Sequence, residues 1–398
     1  MPKSTISGLM TICLGFVAAC DLATGPKADK LRERWYQRQT GWAWASPAVN
    51  GNVVYFATGG GEVIARDVSN GKQKWIAHVS QLSVDGANLL FRSGVVVAPS
   101  VLETVGLDAE TSRQLWRYQA PPDTVDNTSG YSSPGQVVYS HVDADDDAVY
   151  IPAWGASISA VELHTGVVRW VWKPGVIAGD TATSGVFRSG AMGVTVSGDT
   201  VFGTMWHATI RSMVNSEAWV VALDKRTGQE FWRVRLPFIG AGVLIQTAPA
   251  VYKNLVIART LFGQTFAIDR TTQRIAWQFA APGSWLSGES GPEIKDDVVY
   301  VDGGDEAIYA LNASTGSTIW RSPMITQTTT DMLVTERHLI YNNGAELHIL
   351  DRASGNEVVA TTQPHTYDPL FSSAPTAANG LIFINAADAA FCFEEPRD

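Results

Sequence analysis

Three aspartates, Asp143, Asp145 and Asp147, alternate along one short polar segment of the chain. Carboxylate oxygens are ligands that Ca²⁺ prefers, so this spacing makes the three residues a candidate calcium site. Apolar, strand-like segments flank them at 137–139 and 149–151. A polar hairpin turn between two strands explains the same residues without a metal. We therefore expect a solvated turn here and no bound metal.

The other chemistry-bearing residues show no arrangement typical of an enzyme. Seven histidines are scattered along the chain, and the closest pair, His338 and His348, falls on two different predicted strands. Gly59-Gly60-Gly61 lacks the following Lys-Ser or Lys-Thr of a phosphate-binding loop, so it indicates a turn. The sequence contains no Gly-x-Ser-x-Gly motif of a hydrolase. No catalytic residue is predicted, and the net charge of −10 argues against nucleic acid as the partner.

The N-terminal thirty residues have the features of an export signal followed by a tether. Residues 1–19 combine Lys3 with an apolar run too short to span a bilayer, and they end in Val-Ala-Ala directly before Cys20. This ending resembles the lipobox of bacterial lipoproteins, which implies cleavage before Cys20, lipidation of Cys20 and a lipidated tether over residues 20–30. A plain secretory signal is the alternative. The expected location is the periplasm-facing cell envelope, and Asp21 leaves the choice of membrane open.

The rest of the chain, residues 31–398, consists of several copies of one sequence repeat. The clearest copy runs from Val298 to Trp320, with short apolar strands separated by glycines and a tight turn that ends at Gly316. The tryptophans at this repeat position are Trp35, Trp75, Trp116, Trp170, Trp232, Trp277 and Trp320. From Trp75 onward their spacings are 41, 54, 62, 45 and 43 residues, near the roughly 40–50 residues of a propeller blade. Each tryptophan is expected to fill the wedge between neighbouring sheets while its N–H reaches a carbonyl. Ser112 and Gln273 replace the turn glycine in two units, so those turns are expected to differ.

The two ends of the chain are expected to close the repeats into a ring. The last unit, from Ser373 to Phe393, has three strand-like segments and no final strand, while Arg32–Tyr36 is a strand-like segment without a unit. Pairing the two leaves no open sheet edge. The prediction is an all-β, eight-bladed propeller whose N-terminal strand completes the C-terminal blade. Seven blades is the alternative count, and a helical solenoid is disfavoured because no 3.6-residue periodicity is present.

The segment Ala310–Trp320, read as Ala-Leu-Asn-x-x-Thr-Gly-x-x-x-Trp, resembles the tryptophan-docking repeat of the PQQ-like propellers. That family has two branches, the quinoprotein dehydrogenases and the BamB-type lipoproteins of outer-membrane β-barrel assembly. The resemblance covers nearly the whole chain after the tether. It implies the propeller fold and does not by itself imply an activity.

The resemblance favours the BamB-type branch. The enzyme branch carries adjacent cysteines near its cofactor, and this sequence has no Cys-Cys pair. The lipobox, the short tether and the absence of catalytic motifs match the other branch, which implies a membrane-anchored scaffold that binds a barrel-assembly protein and needs no cofactor. In addition, Leu286–Pro292 resembles the Leu-x-Gly-Glu-Ser-x-Pro connector through which that branch docks on its partner, with Ser287 in place of an arginine. A cofactor-binding quinoprotein-like enzyme and a polysaccharide- or peptide-binding propeller are the alternative functions.

Long connectors and one insertion predict where a partner binds. Extra residues at 205–218 lie between the second and third strands of the longest unit, and long connectors cover 173–188, 237–246, 282–290 and 363–372. In a four-stranded meander the loops after the second and fourth strands emerge at the same end, so these segments should share one face of the ring. The side chains expected to be exposed there are Phe187, Trp206, Phe238, Ile239, Trp285, Leu286, Tyr367 and Phe371. Clustered exposed apolar side chains indicate a binding surface. Packing between blades or across the channel is the alternative.

Overall fold

The computed structural model describes residues 31–82, 84, 88–121, 141–153, 157–174, 187–209, 212–237, 245, 247–282, 290–323, 328, 330–362 and 370–397, without the side chains of 187–189, 207–209 and 212–216. These residues form β-strands joined by turns and connectors. Within this part of the chain, no helix is long and apolar enough to cross a membrane.

The strands form eight four-stranded antiparallel sheets, which confirms the predicted count of eight blades. Strand β1 spans Glu33–Arg38. Blade 1 contains β2 (Ala48–Asn50), β3 (Val53–Ala57), β4 (Glu62–Asp67) and β5 (Gln73–His78). Blade 2 contains β6 (Leu90–Arg92), β7 (Val95–Pro99), β8 (Thr104–Asp108) and β9 (Gln114–Tyr118). Blade 3 contains β10 (Asp143–Ala144), β11 (Ala148–Ala153), β12 (Ser157–Glu162) and β13 (Val168–Trp172). Blade 4 contains β14 (Phe187–Ser197), β15 (Thr200–Thr209), β16 (Ser212–Asp224) and β17 (Glu230–Arg235).

The second half of the ring continues in the same order. Blade 5 contains β18 (Ala250–Tyr252), β19 (Leu255–Arg259), β20 (Thr265–Asp269) and β21 (Arg274–Phe279). Blade 6 contains β22 (Glu293–Lys295), β23 (Val298–Asp302), β24 (Ala307–Asn312) and β25 (Thr318–Pro323). Blade 7 contains β26 (Leu333–Val334), β27 (His338–Asn342), β28 (Glu346–Asp351) and β29 (Glu357–Thr362). Blade 8 contains β30 (Thr376–Ala378), β31 (Leu381–Asn385) and β32 (Ala389–Glu394), with β1 as its outer strand.

The pairing of β1 with β32 closes the ring, as predicted. The register places Trp35 opposite Cys392 and Tyr36 opposite Phe391. Arg34 adds an ion pair of 2.8 Å to Glu394 across the same two strands. The two ends of the chain therefore share one blade, and the pairing with β1 leaves no open edge on β32.

Apolar side chains fill the space between neighbouring blades. Among the side chains that the structure describes, those of the second and third strands of the blades are mostly buried; β3, for example, exposes little of Val-Val-Tyr-Phe-Ala. Such strands are covered on both faces and read as continuous apolar runs. The outer strand β5 instead alternates exposed and half-buried residues. Eight hydrophobic clusters result, one between each pair of adjacent blades.

Tryptophans on the outer strands dock onto the next blade. The Trp116 indole lies across the turn of blade 3, and its Nε1 donates to the Leu163 carbonyl at 2.6 Å. A Cβ on Gly166 in that turn would lie only 2.4 Å from the Trp116 Cβ, so the turn needs a residue without a side chain there. Equivalent Nε1–carbonyl bonds join Trp35 to Val68, Trp75 to Ala109, Trp170 to Lys225, Trp277 to Ala313 and Trp320 to Arg352. The repeated tryptophan thus ties each of these blades to the next.

The turns at Ser112 and Gln273 do not differ from the glycine turns, contrary to the expectation. Their φ angles are 65° and 57°, beside 71° at Gly71. Ser112 N donates to Asp108 O at 3.0 Å, as Gly71 N does to Asp67 O at 2.8 Å. Thr111 Oγ1 also donates to the Asp108 carboxylate. These hydrogen bonds hold the left-handed backbone and offset the steric cost of a side chain.

Candidate functional site

One end of the ring, which we call the connector face, carries the blade-to-blade connectors and the turns between second and third strands. Val79 and Ser80, in the connector that leaves blade 1, both donate backbone hydrogen bonds to Gly61 O, at 2.8 and 3.1 Å. Phe371, in the connector into blade 8, donates to Gly344 O at 2.6 Å. Connectors and turns therefore lie against each other at this end, as a four-stranded meander requires.

Two residues expected to be exposed on this face are buried instead. Trp206 is 9% exposed and packs in the cluster between blades 4 and 5. The insertion that contains it does not form a loop but extends β15 and β16 as a long hairpin, and Trp206 pairs with Gly190, where a side chain would crowd the indole. Phe371 is 2% exposed and packs edge-on against Phe391 and Phe393. Both side chains stabilise the packing of blades and offer little surface to a partner.

The other six residues of the expected surface have side chains outside the description. Phe238, Ile239, Trp285, Leu286 and Tyr367 lie outside the described residues, as does the lipidation residue Cys20. Phe187 begins β14, and its side chain is likewise outside the description. Their place in partner binding stays a prediction.

An apolar patch that the expected surface did not include lies on the connector face of blade 1. Trp42 and Leu82 are 38% and 43% exposed. The turn Gly59–Gly61 lies between them, because a Cβ on Gly59 would lie 2.4 Å from Trp42 O and one on Gly61 would lie 2.6 Å from Leu82 O. We call Trp42, Leu82 and the half-buried Trp44, whose ring lies 6.3 Å from that of Trp42, the Trp42–Leu82 patch.

The patch rests on a rigid polar base. Thr40 Oγ1 and Thr58 Oγ1 both donate to Glu62 Oε2, at 2.9 and 3.0 Å. One carboxylate therefore joins the connector that enters blade 1 to the turn of the same blade. Ordering of the backbone before binding lowers the entropy cost of association, and tryptophans are common at the centre of interfaces. Two tryptophans within a connector, outside the repeat position, were the sequence signal for this patch.

The buried Arg259 fixes the end of the connector into blade 6. Its guanidinium is 1% exposed, and it donates from Nη1 to Ser290 O at 2.6 Å and from Nε to Asp302 O at 2.7 Å. The Asp302 carboxylate lies 3.7 Å from Nη2 and accepts from Thr328 Oγ1 at 2.7 Å. Ser290 lies within Leu286–Pro292, the segment that resembles the docking connector, so Arg259 holds the C-terminal part of that segment.

A cavity of about 290 Å³ opens into the central channel near this end. Its lining comes from blades 3 to 7 and includes His141, Thr195, Glu293 and Asp331, with small apolar residues between them. Asp331 Oδ1 accepts from Gly291 N at 2.6 Å, and Asp331 Oδ2 lies 3.3 Å from His141 Nδ1. Blades 3 and 7 face each other in a ring of eight, so the pair of His141 and Asp331 spans the channel.

Glu293 is the acid of this cavity with an altered pKa. Glu293 is half-buried in the wall of the channel. Desolvation there, with a smaller effect from the nearby Asp331 carboxylate, raises the pKa of Glu293 to about 8. Its carboxyl therefore holds a proton at neutral pH. The described residues supply it with no hydrogen bond that would stabilise the charged form.

Glu293→Gln should flatten the pH dependence of stability between about pH 5 and 8. The folded protein keeps the Glu293 proton up to about pH 8, whereas a free glutamate loses it near 4.5. Between these values the unfolded chain binds fewer protons, so rising pH destabilises the fold, by at most about 1.4 kcal/mol per pH unit. Urea unfolding of both proteins at pH 5, 6, 7 and 8 measures the difference. Parallel curves would contradict the raised pKa.

Two of the three candidate calcium residues, Asp143 and Asp145, accept hydrogen bonds within the protein. Asp143 Oδ2 accepts from Val196 N at 2.8 Å, and burial raises the pKa of Asp143. Asp145 accepts from the amides of Asp147 and Ala148 and forms a 3.0 Å ion pair with Lys225. Asp143 and Asp145 thus connect blade 3 to blade 4. In the described part of the chain, no three His, Cys, Asp or Glu residues are grouped as metal ligands.

The fold and its docking contacts define an eight-bladed propeller built from tryptophan-docked blades. A family model described as "Outer membrane protein assembly factor BamB" matches residues 19–211 and 216–386. Because the match covers most of the chain, this protein belongs to that family.

Individual relatives are distant. The outer membrane protein assembly factor BamB of Nitrosomonas eutropha is 28% identical over 204 residues, which cover 46% of this chain and 46% of that protein. The chain thus spans less than half the length of that relative. The BamB of Burkholderia pseudomallei is 22% identical over 362 residues, 88% of this chain and 84% of that protein.

Solved structures show the same fold in proteins of different function. The crystal structure of BamB from Moraxella catarrhalis has a TM-score of 0.67 and 16% identity, with 92% of this chain and 99% of that chain covered. A quinohemoprotein alcohol dehydrogenase from Comamonas testosteroni has a TM-score of 0.69 and 14% identity, with 92% and 76% covered. At such identities the similarity concerns the fold alone.

Proposed function

We propose that this protein is a membrane-anchored, non-enzymatic scaffold that binds an outer-membrane β-barrel assembly protein through its connector face. The exposed Trp42–Leu82 patch is the observation that carries the proposal. Family membership supports the assembly role, since the family model and the BamB relatives of Nitrosomonas eutropha and Burkholderia pseudomallei are described as outer-membrane assembly factors. Trp42 and Leu82 offer the kind of aromatic and aliphatic anchors that dominate binding energy at protein interfaces.

Anchoring and location are part of the same proposal. Cleavage after residue 19 and lipidation of Cys20 would leave residues 20–30 as a tether, with the propeller, residues 31–398, facing the periplasm. An acyl anchor would hold the ring near the membrane surface and raise its effective concentration toward a membrane-embedded partner. Globomycin, which blocks cleavage of lipidated precursors, should cause the precursor to accumulate.

The double variant Trp42→Glu and Leu82→Glu should reduce recovery of the partner at least about tenfold, because a charged group at the centre of an interface is costly to desolvate. Recovery is measured by affinity purification of the lipidated protein from its own envelope in mild detergent, followed by mass spectrometry. Phe231→Glu is the matched control, since Phe231 is 52% exposed on the outer strand of blade 4, away from the connector face.

The outcomes separate the candidate functions. Recovery of a barrel assembly protein with the wild type and with Phe231→Glu, and its loss with the double variant, supports the scaffold. Equal recovery with all three proteins would contradict docking through the patch. A protein recovered alone, with the absorbance spectrum of a quinone, would contradict the scaffold and favour the enzyme alternative.

A further inference from the structure

We propose that the channel cavity between blades 3 and 7 binds a small aliphatic amine, with its ammonium group on Glu293. The cavity, the two carboxyl groups of Glu293 and Asp331, and the apolar wall between them carry this inference. It does not depend on the partner proposed above.

The two carboxyl groups in the cavity differ in their hydrogen-bond partners. Asp331 already accepts from Gly291 N and contacts His141, so its two oxygens are both engaged. Glu293 lines the same cavity, and its carboxyl has no hydrogen bond from the described residues. A half-buried carboxyl without a hydrogen-bond donor, in surroundings that disfavour its charge, is neutralised either by a proton or by a cation. A primary ammonium, with three N–H donors, can replace the proton and bond to carboxylate and carbonyl oxygens together.

Size and lining favour an organic cation over a metal ion. The cavity of about 290 Å³ is about ten times the roughly 30 Å³ that one water occupies. In the described residues no three metal-ligating side chains are grouped. Ala248, Pro249, Val251 and Ile294 form an apolar wall beside Glu293, which suits a short methylene chain. An aliphatic amine of about four carbons would place its ammonium group on the Glu293 carboxyl and its methylene chain against the apolar wall.

The charged and titratable groups around Glu293 are few. Asp331 from the segment before β26 and His141 from the segment before β10 face the cavity. On the adjacent strand β23, Tyr300 pairs with Glu293, but its ring packs at a tilt against Trp320 in the cluster between blades 6 and 7. Behind the connector, Arg259 is bonded to Ser290 O and Asp302 O. When an ammonium replaces the proton on Glu293, the net charge of the cavity does not change.

Proton release gives the proposal a specific signature. Since the pKa of Glu293 is about 8, bound butylammonium should displace close to one proton per site at pH 7. Its affinity should rise about tenfold from pH 6 to pH 7 and only about twofold from pH 8 to pH 9. Isothermal titration calorimetry of the purified protein in buffers of different ionisation enthalpy measures both quantities.

Controls test charge, shape and folding separately. Butan-1-ol has the shape of the amine without the charge and should not bind measurably. Glu293→Gln should weaken butylammonium binding at least about tenfold and remove the proton release, whereas Glu110→Gln, on an exposed turn of blade 2, should bind like the wild type. Circular dichroism confirms that each variant is folded. Absence of butylammonium binding to the wild type, equal binding of butan-1-ol, or unchanged binding by folded Glu293→Gln would overturn the proposal.

Discussion

Trp116→Ala is expected to lower the free energy of unfolding by about 3–5 kcal/mol. The indole is 5% exposed and fills the space between blades 2 and 3. Its removal leaves a cavity and deprives the Leu163 carbonyl of the Nε1 donor at 2.6 Å. The two residues that lie directly against the indole, the strand partner Gly106 and the turn residue Gly166, are glycines. They have no side chains that could move into the cavity.

Urea unfolding followed by far-UV circular dichroism measures this loss. Trp42→Ala is the matched control, since Trp42 is 38% exposed and makes no docking contact between blades in the described structure. It should cost less than about 1 kcal/mol. Equal losses for the two substitutions would show that the indole at the repeat position does not hold the blades together.

Arg259→Met is expected to destabilise the protein by about 3–5 kcal/mol, because it leaves the Asp302 carboxylate buried without its counter-charge. Asp302 is 0% exposed, so water cannot replace the guanidinium. The carbonyls of Ser290 and Asp302 also lose donors that lie at 2.6 and 2.7 Å. The connector into blade 6 would then lose its anchor on blade 5.

A second substitution distinguishes lost charge balance from lost packing. Asp302→Asn in the Arg259→Met background should recover part of the stability, since the amide keeps an acceptor for Gly304 N and a partner for Thr328. Lys253→Met breaks an exposed ion pair with Asp297 and should change little. If the double variant is as unstable as Arg259→Met, uncompensated charge is not the cause.

The propeller was predictable because each blade repeats the same local signals. Apolar runs, turn residues and a docking tryptophan recur in nearly every unit, so errors in single units do not change the architecture. Blade 7 shows this: it has Val359 where other units have tryptophan, and it still forms four strands. Closure by β1 was predictable because one strand was missing at the C-terminal end and one was unassigned at the N-terminal end.

The candidate sites were less predictable because they depend on contacts between distant segments. His141 and Asp331 belong to blades 3 and 7 and meet across the channel, and their spacing in sequence carries no signal of this contact. Trp206 was wrongly predicted to be exposed, because it is an aromatic residue within an insertion. The insertion continued two strands, and the side chain was buried between blades. A connector residue is exposed or buried according to how the connector packs against the turn between the second and third strands. The spacing of residues in the sequence does not specify this packing.

Photo-crosslinking in the native envelope tests docking through the connector face most directly. A photoreactive phenylalanine analogue is placed at position 42 in one protein and at position 231 in another, because both sites are exposed but lie on different surfaces. The scaffold account predicts a crosslink from position 42 to an outer-membrane barrel assembly protein and none from position 231. A crosslink to that protein from position 231 alone, or none from position 42 while the protein is lipidated and folded, would contradict it.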